Sequence, residues 1–471
     1  MAMFGWIVLT GILFLHLPPQ RAIAISVIGG FLFLPIYSFD FPGIPSYDKS
    51  AAIALSLVAG ELLSGERSKY PVKFSYYDLP ALLWCLVSPV ASSVSNQLGL
   101  YDGISGAMSN VLNWGIFYLV GRRYFGEPRS LRVLTRGIMM GGLLYIPLIL
   151  FELRMSPQLS QKIYGFFPHS FLQHIRYGGY RPIVFMQHGL MVAFWMATSS
   201  TVTFWMWRMR AVEEVGKIPI ALVSFSLMAM TIACKSANGV IYMALGIVAF
   251  LFYRTTGSAR KIRWITMIVP LYIAVRLANI VTLDEVQSLA LRVFDQERVS
   301  SLGWRLLQEN LFGMKALERP LLGWGGYARG WPVNPETGIQ LIQMVDSMWV
   351  IVLSNRGFFG LVCAFLTLGL GAVSALALLR LPATGKPLAP DPYEGDVIAL
   401  SLVMIFFMFD SLLNEMISPV YIVIAGALVS YSLGRKQSVP LCADPVCSPP
   451  RGQEDAGQAQ QFPEYVGRNR E

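Results

Sequence analysis

Charged residues are scarce in this chain. Of its 471 residues only 14% are Asp, Glu, Lys or Arg, while 54% are hydrophobic. Soluble domains usually carry about a quarter charged residues. The apolar residues fall into separate runs, most of them long enough to cross about 30 Å of hydrocarbon as a helix. So many separate runs could not all lie inside one soluble core, and the composition therefore favours a membrane protein.

Several signatures of familiar enzymes are also missing. The sequence has no G-x-x-x-x-G-K-[ST] for a P-loop ATPase, no H-E-x-x-H for a metalloprotease and no G-x-S-x-G for a hydrolase. No Asp-x-Asp pair is present to hold a divalent ion for a nucleotide-sugar donor. The five cysteines are isolated, and the C-x₄-C pair in the tail has no nearby histidine. We therefore expect no metal site, no disulfide framework and no cofactor.

The apolar runs predict the fold class. We predict an all-α, polytopic integral membrane bundle of 12 or 13 spans, because only closed hydrogen-bonding structures such as helices satisfy the backbone inside a bilayer. The run at 348–379 is too long for one simple span, and we expect it to break near Arg356 and Gly357. The apolar runs lie at 2–16, 22–38, 50–65, 79–96, 104–121, 132–152, 182–207, 217–234, 237–253, 263–281, 348–379, 396–413 and 418–433.

Basic residues choose the orientation. Four basic loops are each separated from the next by two spans, which places all four on the cytoplasmic side by the positive-inside rule. The net charge of +9 is explained in large part by such loops, so it does not indicate nucleic-acid binding. Two long polar segments then face the exterior or periplasm. The basic loops are 66–73, 122–132, 207–217 and 254–263, and the outer segments are about 153–181 and 280–345.

The chain divides into a membrane domain at 1–433 and a polar tail at 434–471. The tail is rich in Pro, Gln and Gly and lacks apolar periodicity, so we expect it to be disordered and cytoplasmic. The larger outer segment is partly ordered, because apolar residues recur at helical spacing between Leu302 and Leu317. This pattern predicts an amphipathic helix that lies against the membrane surface and ends at Arg319-Pro320.

The first group of candidate residues runs from the first outer segment into a span, from Arg176 to Gly189. Arg181 would lie at the membrane mouth and His188 about two turns inside. An intramembrane polar group is costly unless it is paired, which raises the case for function. The alternatives are an arginine that snorkels to the interface and a histidine that serves helix packing. Lys235, in a short outer turn, could add a further cation.

A second group lies later in the chain. It comprises Arg305 on the predicted outer helix, the turn Pro320-Leu-Leu-Gly-Trp-Gly325, and the stretch that begins with Asp346-Ser347 and reaches Gly357-Phe-Phe-Gly360. Together with the stretch from Arg181 to Gly189, these motifs resemble the O-antigen ligase and O-antigen polymerase superfamily. The resemblance covers most of residues 130–430. Its motifs are loose, and the combination of the turn with the later stretch is more specific than either alone.

The resemblance implies glycosyl transfer outside the cytoplasm without a metal. The donor would be a glycan on a polyprenyl diphosphate, and the acceptor either another lipid-linked glycan, for a polymerase, or lipid A core, for a ligase. Negative charge must be stabilised as the bond to the diphosphate breaks. Arg181 and Arg305 are the candidates for this, with Lys235 and Arg176 as additional cations, because arginine binds phosphate in a planar, bidentate manner.

One departure from the family bears on the reaction. Many members, ligases above all, have a histidine where this chain has Asp346. Asp346 could replace it as the general base, His188 could take that role, or Asp346 could only cap the following helix. The missing histidine favours a polymerase, located in a bacterial inner membrane with its active site facing the periplasm. We expect single displacement with inversion, because no second outer carboxylate is placed as a nucleophile.

Two other functions stay open at this point. An O-antigen ligase would use the same donor and differ in its acceptor. A lipid-linked sugar transporter or flippase would need no glycosyl transfer at all. Transporters often show inverted repeats and helices broken at the bilayer midplane. Neither is evident here, and the candidate residues gather at the outer face. The expected partners are therefore the lipid-linked donor, a glycan acceptor and membrane lipid.

Overall fold

The computed structural model is helical nearly throughout. It describes residues 1–65, 69–168, 171–176, 178–280, 283–292, 296–326, 328–334, 336–341, 345–379 and 391–438. Within these residues the only strands are two short antiparallel hairpins, β1–β2 (Ile175–Arg176 and Gly179–Tyr180) and β3–β4 (Glu214–Val215 and Ile218–Pro219). The all-α class is therefore confirmed.

The described residues form eighteen α-helices. Two of them are interrupted by π-helical segments, at Leu83–Val87 and Val111–Gly115, and 3₁₀ segments occupy Tyr76–Asp78, Phe171–His174 and Ala259–Met267. The α-helices are α1 (Ala2–His16), α2 (Pro19–Phe33), α3 (Lys49–Ser64), α4 (Leu79–Leu82), α5 (Ser88–Ser95), α6 (Leu100–Asn110), α7 (Ile116–Tyr124), α8 (Pro128–Met155), α9 (Leu159–Tyr164), α10 (Gly189–Arg208), α11 (Ile220–Ala233), α12 (Ala237–Thr256), α13 (Ile268–Leu277), α14 (Leu283–Ala290), α15 (Gln296–Ala316), α16 (Met348–Ala377), α17 (Pro392–Leu413) and α18 (Pro419–Ser438).

Five helical segments of the described chain are long and apolar enough to cross a membrane: Tyr76–Ser95, α8, α12, α16 and α17. Three shorter apolar helices, α1, α2 and α11, accompany them. Many large apolar side chains on these helices are exposed, including Leu144 at 55%, Val248 at 57% and Leu222 at 57%. Exposed apolar surface on this scale is typical of a surface that a membrane or another protein covers.

The buried core extends over most of the bundle, and α10, α16, α17 and α18 contribute much of it. Helix α17 is the central element, because 89% of its most apolar stretch of 18 residues is buried inside the structure. Helix α18 packs closely on α7 through two glycines that face each other. A Cβ atom at Gly121 would lie 2.1 Å from the Val423 carbonyl oxygen, and one at Gly426 would lie 2.1 Å from that of Tyr118. Small residues of this kind let two helix backbones approach closely.

Helix α16 is broken at Gly357, where the backbone is left-handed with φ of 64° and ψ of −169°. The predicted break near Arg356 and Gly357 is therefore confirmed. Such a break removes two intrahelical hydrogen bonds, because the N–H groups of Phe358 and Phe359 no longer reach the carbonyls of Ser354 and Asn355. Four backbone groups then need new partners in an apolar setting, where an unpaired group costs several kcal/mol.

The turn Pro320–Gly325 supplies all four partners. Phe358 N–H donates to the Pro320 carbonyl at 2.7 Å, and Phe359 N–H donates to that of Leu321 at 3.2 Å. In return, Trp324 N–H donates to the Ser354 carbonyl at 2.8 Å, and Gly325 N–H donates to that of Asn355 at 3.1 Å. The turn and the broken helix are thus one structural unit, which explains why the two motifs occur together.

Ion pairs fix the end of the bundle that carries the basic loops. Arg122 Nε lies 2.8 Å from Asp78 Oδ1, and Arg123 Nη1 lies 3.0 Å from Glu61 Oε2. Arg132, near the start of α8, pairs with the buried Asp396, near the start of α17. Several arginines that the charge pattern assigns to cytoplasmic loops therefore also hold helices together.

Three boundary predictions need correction. The run at 182–207 does not begin as a helix, because α10 starts only at Gly189 and the preceding apolar residues are buried in irregular backbone. Residues 434–438 belong to α18 and not to the tail, while 439–471 lie outside the described residues. The predicted helix between Leu302 and Leu317 is present as α15, but it begins earlier, at Gln296, ends at Ala316 and not at Arg319-Pro320, and packs along α16.

Candidate functional site

The site lies where α10, α12 and α16 begin and α17 ends. Its first component is α15, which is fixed by the buried carboxylate of Glu309. Arg276 of α13 pairs with this carboxylate at 3.0 Å. Three further donors complete its hydrogen bonding, which a buried charge requires. They are Tyr272 Oη at 2.9 Å, Ser347 Oγ at 2.7 Å and Trp349 Nε1 at 3.3 Å.

This anchor places two of the predicted site residues together. Arg305 precedes Glu309 by one helical turn, so both side chains project from the same side of α15. Asp346 directly precedes Ser347, which Glu309 holds. Arg305 Nε accordingly lies 3.1 Å from Asp346 Oδ2, with 22% of the Arg305 side chain and 49% of the Asp346 side chain exposed. The pair is partly open to solvent and therefore accessible to a ligand.

Asp346 does not cap α16. The N-cap residue is Ser347, whose side chain makes no capping hydrogen bond and donates to Glu309 instead. The alternative in which Asp346 serves only as a helix cap is therefore wrong. Its carboxylate is directed to Arg305.

Glu415 is the second carboxyl group at this location. It follows the end of α17 and is accessible to solvent. Protein nonetheless surrounds it on most sides, and this burial, together with the negative charge of Asp346, raises the pKa of Glu415 to about 7. A carboxyl group with such a pKa can both accept and release a proton near neutral pH.

A chain of hydrogen bonds leads from the other predicted arginine, Arg181, to Asp410, a buried carboxylate near Arg305. Arg305 is close enough to the buried Asp410 of α17 for their charges to interact. Asn238 Nδ2, at the start of α12, donates to Asp410 Oδ1 at 3.3 Å. Ser236 donates to Asn238, and Arg181 Nη2 donates to Ser236 Oγ at 3.0 Å.

Arg181 is therefore not an interfacial, snorkelling side chain. It is only 3% exposed. Its stem packs directly against Gly189, the first residue of α10, because a Cβ atom at Gly189 would lie 2.6 Å from Arg181 Nε. A buried guanidinium beside the start of a helix adds to the positive potential of that helix end.

The structure corrects the position of His188. This residue is the N-cap of α10 and not a residue two turns inside a span. Its Nδ1 accepts the backbone N–H of Leu190 at 3.1 Å. A neutral imidazole that accepts at Nδ1 carries its proton on Nε2, so this tautomer, inferred from the hydrogen bond, donates at Nε2. The geometry favours a carboxylate over His188 as proton acceptor.

The remaining two cations lie near the first hairpin. Lys235 has a left-handed backbone with φ of 52°. Its ammonium lies over β2, because a Cβ atom on Gly179 would be 2.3 Å from Lys235 Nζ. Arg176 belongs to β1, and its side chain lies outside the described part of the chain. Hairpin β1–β2 therefore joins Lys235 to the segment that carries Arg181.

Glu152, an acidic residue at the outer end of α8, has a structural role. Its Oε2 accepts the backbone N–H groups of Ile183 and Val184, each at 2.8 Å, and its Oε1 accepts that of Leu159 at 3.0 Å. These bonds satisfy the irregular backbone between Arg181 and α10. Glu152 thereby holds Arg181 in place.

Sequence reasoning found the arginines and Asp346 but gave little weight to four other residues. Asp410 and Glu415 flank the turn after the apolar run at 396–413, a position that by itself indicates boundary residues, and Ser236 and Asn238 carry no chemical signature of their own. The sequence signal that could have found these four residues is their shared position at helix ends predicted to lie on the outer side. Within the described ranges, no three His, Cys, Asp or Glu side chains are grouped as metal ligands would be.

Comparison with known proteins adds no further information. No protein-family model, no curated protein and no solved structure matches this chain. The functional assignment therefore depends on the site itself, which combines two cationic centres, three carboxyl groups and the starts of three helices.

Proposed function

We propose that this protein is a polytopic membrane glycosyltransferase that polymerises polyprenyl-diphosphate-linked repeat units of an exopolysaccharide or O-antigen. It would act on the periplasmic face of a bacterial inner membrane, as a member of the O-antigen ligase and polymerase superfamily. The observation that carries the proposal is the chain of hydrogen bonds from Arg181 through Ser236 and Asn238 to Asp410, a buried carboxylate whose charge interacts with that of Arg305, the partner of Asp346. This arrangement supports the proposal that the two guanidinium groups, which come from distant segments, act in one site.

Membrane insertion is supported by the five long apolar helices and by the exposed apolar side chains on them. The direction of the helices agrees with the charge pattern. Helices α2 and α8 run in parallel, because Ile28 and Leu32 pack in that order against Gly137 and Gly141. Both helices begin at the end predicted to be cytoplasmic, and the site lies where the opposite ends meet.

The cations suit a diphosphate leaving group. Arg305 is half of an exposed ion pair, so a phosphate oxygen can compete with Asp346 for its N–H donors. Arg181 is fixed by Ser236 and lies beside the start of α10, whose N–H groups favour an anion. Lys235 adds a third positive charge near β2. Stabilising the developing charge on the leaving diphosphate is the largest contribution such a site can make.

The carboxyl groups suit the acceptor. The acceptor hydroxyl oxygen attacks the anomeric carbon while the bond from that carbon to the diphosphate oxygen breaks. The hydroxyl proton passes to Asp346 or to the adjacent Glu415, and the electron pair of the broken bond leaves with the diphosphate. One attack from the face opposite the leaving group inverts the anomeric configuration. Binding of the diphosphate to Arg305 would release Asp346 for this role.

The experiment is a reconstitution. The purified full chain in lipid vesicles receives oligosaccharide diphospholipids extracted from the source cells, and products are followed as a ladder of chain lengths together with released polyprenyl diphosphate. We expect a ladder for the wild type, its loss in Arg181→Ala and Arg305→Ala, and its retention in Arg329→Ala. Arg329 is a suitable control because it is an exposed arginine of the same outer segment.

Two results would overturn the proposal. One is movement of the lipid-linked sugar across the bilayer without any new glycosidic bond, which would indicate a transporter. The other is transfer to lipid A core with no chain extension, which would indicate a ligase. Retention of the anomeric configuration in the product would overturn the single-displacement mechanism.

A further inference from the structure

A cavity lies between α2 and α8, away from the candidate functional site. It has a volume of about 640 Å³ and is lined by apolar residues along most of its length. Three residues of its walls are exposed on the outside of the bundle: Ile25 at 47%, Met140 at 42% and Leu144 at 55%. The cavity is therefore a groove that opens sideways, towards the phase that covers the apolar helices. We refer to it as the α2–α8 groove.

Glycines shape the floor of the α2–α8 groove. Gly137 and Gly141 of α8 face α2, where a Cβ atom on Gly137 would lie 2.8 Å from Ile28 Cδ1 and one on Gly141 would lie 3.0 Å from Leu32 Cδ1. Because neither glycine has a side chain, the two helices approach closely at the floor. The longer side chains above it leave an elongated apolar channel.

Arginines are concentrated at one end of the groove. Four arginines and no acidic residue line it: Arg21, Arg129, Arg132 and Arg136. All four lie in the first turns of α2 and α8, which begin at the same end of the bundle. Helix starts carry partial positive charge, which adds to that of the side chains. The groove thus has a cationic end and an apolar length.

Only one of these arginines is committed to the protein. Arg132 pairs with Asp396, donates to the Ala211 carbonyl at 3.0 Å, and stacks on Tyr393 at 4.5 Å. The side chains of Arg21, Arg129 and Arg136 form no hydrogen bond or ion pair with the described residues, although Arg136 senses the charge of Asp396. Three guanidinium groups therefore surround one opening, and the carboxylate near them, that of Asp396, is already paired with Arg132. This excess of positive charge favours binding of an anion.

We infer that the α2–α8 groove binds one anionic glycerophospholipid, with its phosphate on Arg21, Arg129 and Arg136 and an acyl chain along Ile28 and Leu144. Basic pockets between membrane helices on the cytoplasmic side recognise lipid headgroups in this way. The arginines of the groove lie near the starts of α2 and α8, at the end of the bundle opposite the proposed glycosyl-transfer site, so a polyprenyl diphosphate bound for reaction would not reach them. The inference requires membrane insertion but not the proposed enzymatic activity.

The test measures lipid retention. The full chain is placed in nanodiscs of phosphatidylglycerol, or of phosphatidylcholine with the same acyl chains, then released into detergent and weighed by native mass spectrometry. We expect the wild type to keep one phosphatidylglycerol and to lose phosphatidylcholine. The triple variant R21Q/R129Q/R136Q should retain at least tenfold less phosphatidylglycerol.

A matched control removes the same charge elsewhere. The triple variant K217Q/R254Q/K261Q loses three exposed basic residues of other predicted cytoplasmic loops and should retain lipid like the wild type. A second variant, Met140→Trp, fills the apolar part of the groove without changing any charge, and should also lower retention. Thermal unfolding of each variant checks that it is folded.

The inference fails if the R21Q/R129Q/R136Q variant keeps phosphatidylglycerol as the wild type does, or if phosphatidylcholine is retained equally. Displacement by millimolar inorganic phosphate would show that a free anion and not a lipid is recognised. Displacement by an equal mole fraction of polyprenyl phosphate would assign the groove to an isoprenoid lipid instead. None of these results depends on glycosyl transfer, so they are independent of the proposed function.

Discussion

Arg305 and Asp346 form an ion pair at 3.1 Å across 41 positions of sequence. The distance depends on the residues beside the pair. Glu309, one turn after Arg305 on α15, accepts a hydrogen bond from Ser347, which directly follows Asp346. The buried anchor lies one helical turn from the exposed pair. Chemistry at the surface of the site is therefore supported by a rigid polar cluster behind it, which is the arrangement that precise positioning requires.

The first prediction concerns pH. The pKa of Glu415 is raised to about 7, so its basic form increases as the pH rises through 7 and is lost below it. If Glu415 accepts the proton, initial rates of chain extension should fall as the pH drops from 8 to 6. Glu415→Gln should lower the rate by about 10²- to 10⁴-fold, the usual effect of removing a general base.

The neighbouring carboxylate provides the control for this assignment. Asp346→Asn removes a negative charge that raises the pKa of Glu415. The fall in rate on the acid side of the pH profile should therefore move to lower pH. Neither carboxylate accepts the proton if this fall is unchanged in Asp346→Asn and if Glu415→Gln keeps full activity.

The second prediction concerns stability. Glu309→Ala leaves Arg276 buried without its partner, and breaking a buried ion pair in this way costs about 3–5 kcal/mol. We expect a clear fall in the thermal unfolding midpoint in detergent and loss of the Arg305–Asp346 geometry. The double variant Arg276→Met with Glu309→Leu should recover much of the stability, because it leaves no unpaired charge.

The third prediction concerns the helix break. Gly357→Ala would place a Cβ atom 2.3 Å from the carbonyl carbon of Leu321, in a backbone conformation that is nearly confined to glycine and costs another residue about 1–3 kcal/mol by itself. The substitution should therefore destabilise the protein strongly and displace the turn Pro320–Gly325. Gly338→Ala is the matched control, since φ is 66° there but nothing lies within 4 Å of the added atom. Equal losses at both positions would mean that backbone strain alone, and not the docked turn, is responsible.

The fourth prediction separates binding from chemistry at Arg181. Ser236→Ala removes the hydroxyl that accepts from Arg181 Nη2 at 3.0 Å. A hydrogen bond to a charged group contributes about 1.5–3 kcal/mol. The loosened guanidinium should raise KM for the lipid-linked donor by about tenfold or more while kcat falls less. Ser236→Thr, which keeps the hydroxyl, should restore KM if the effect is due to positioning.

The sequence allowed the helical class, the outer helix α15 and the break at Gly357 to be predicted, because each depends on local periodicity or on a single glycine. The start of α10 was missed for a physical reason. Residues 182–186 are apolar and buried. Their irregular backbone is held by Glu152 from another helix, which accepts the N–H groups of Ile183 and Val184, and hydropathy cannot reveal such a contact. Glu415 was given little weight for a similar reason, since its raised pKa depends on burial by the surrounding protein and on the charge of Asp346, a residue far away in sequence.

The break in α16 has a consequence for biosynthesis. The four backbone groups freed at Gly357 have their partners in a turn that the ribosome makes earlier. Under the proposed topology, that turn crosses the membrane before α16 enters it. Until the turn docks, the backbone on both sides of Gly357 would expose bare carbonyl and amide groups to lipid. Insertion of α16 would then depend on translocation of the preceding loop.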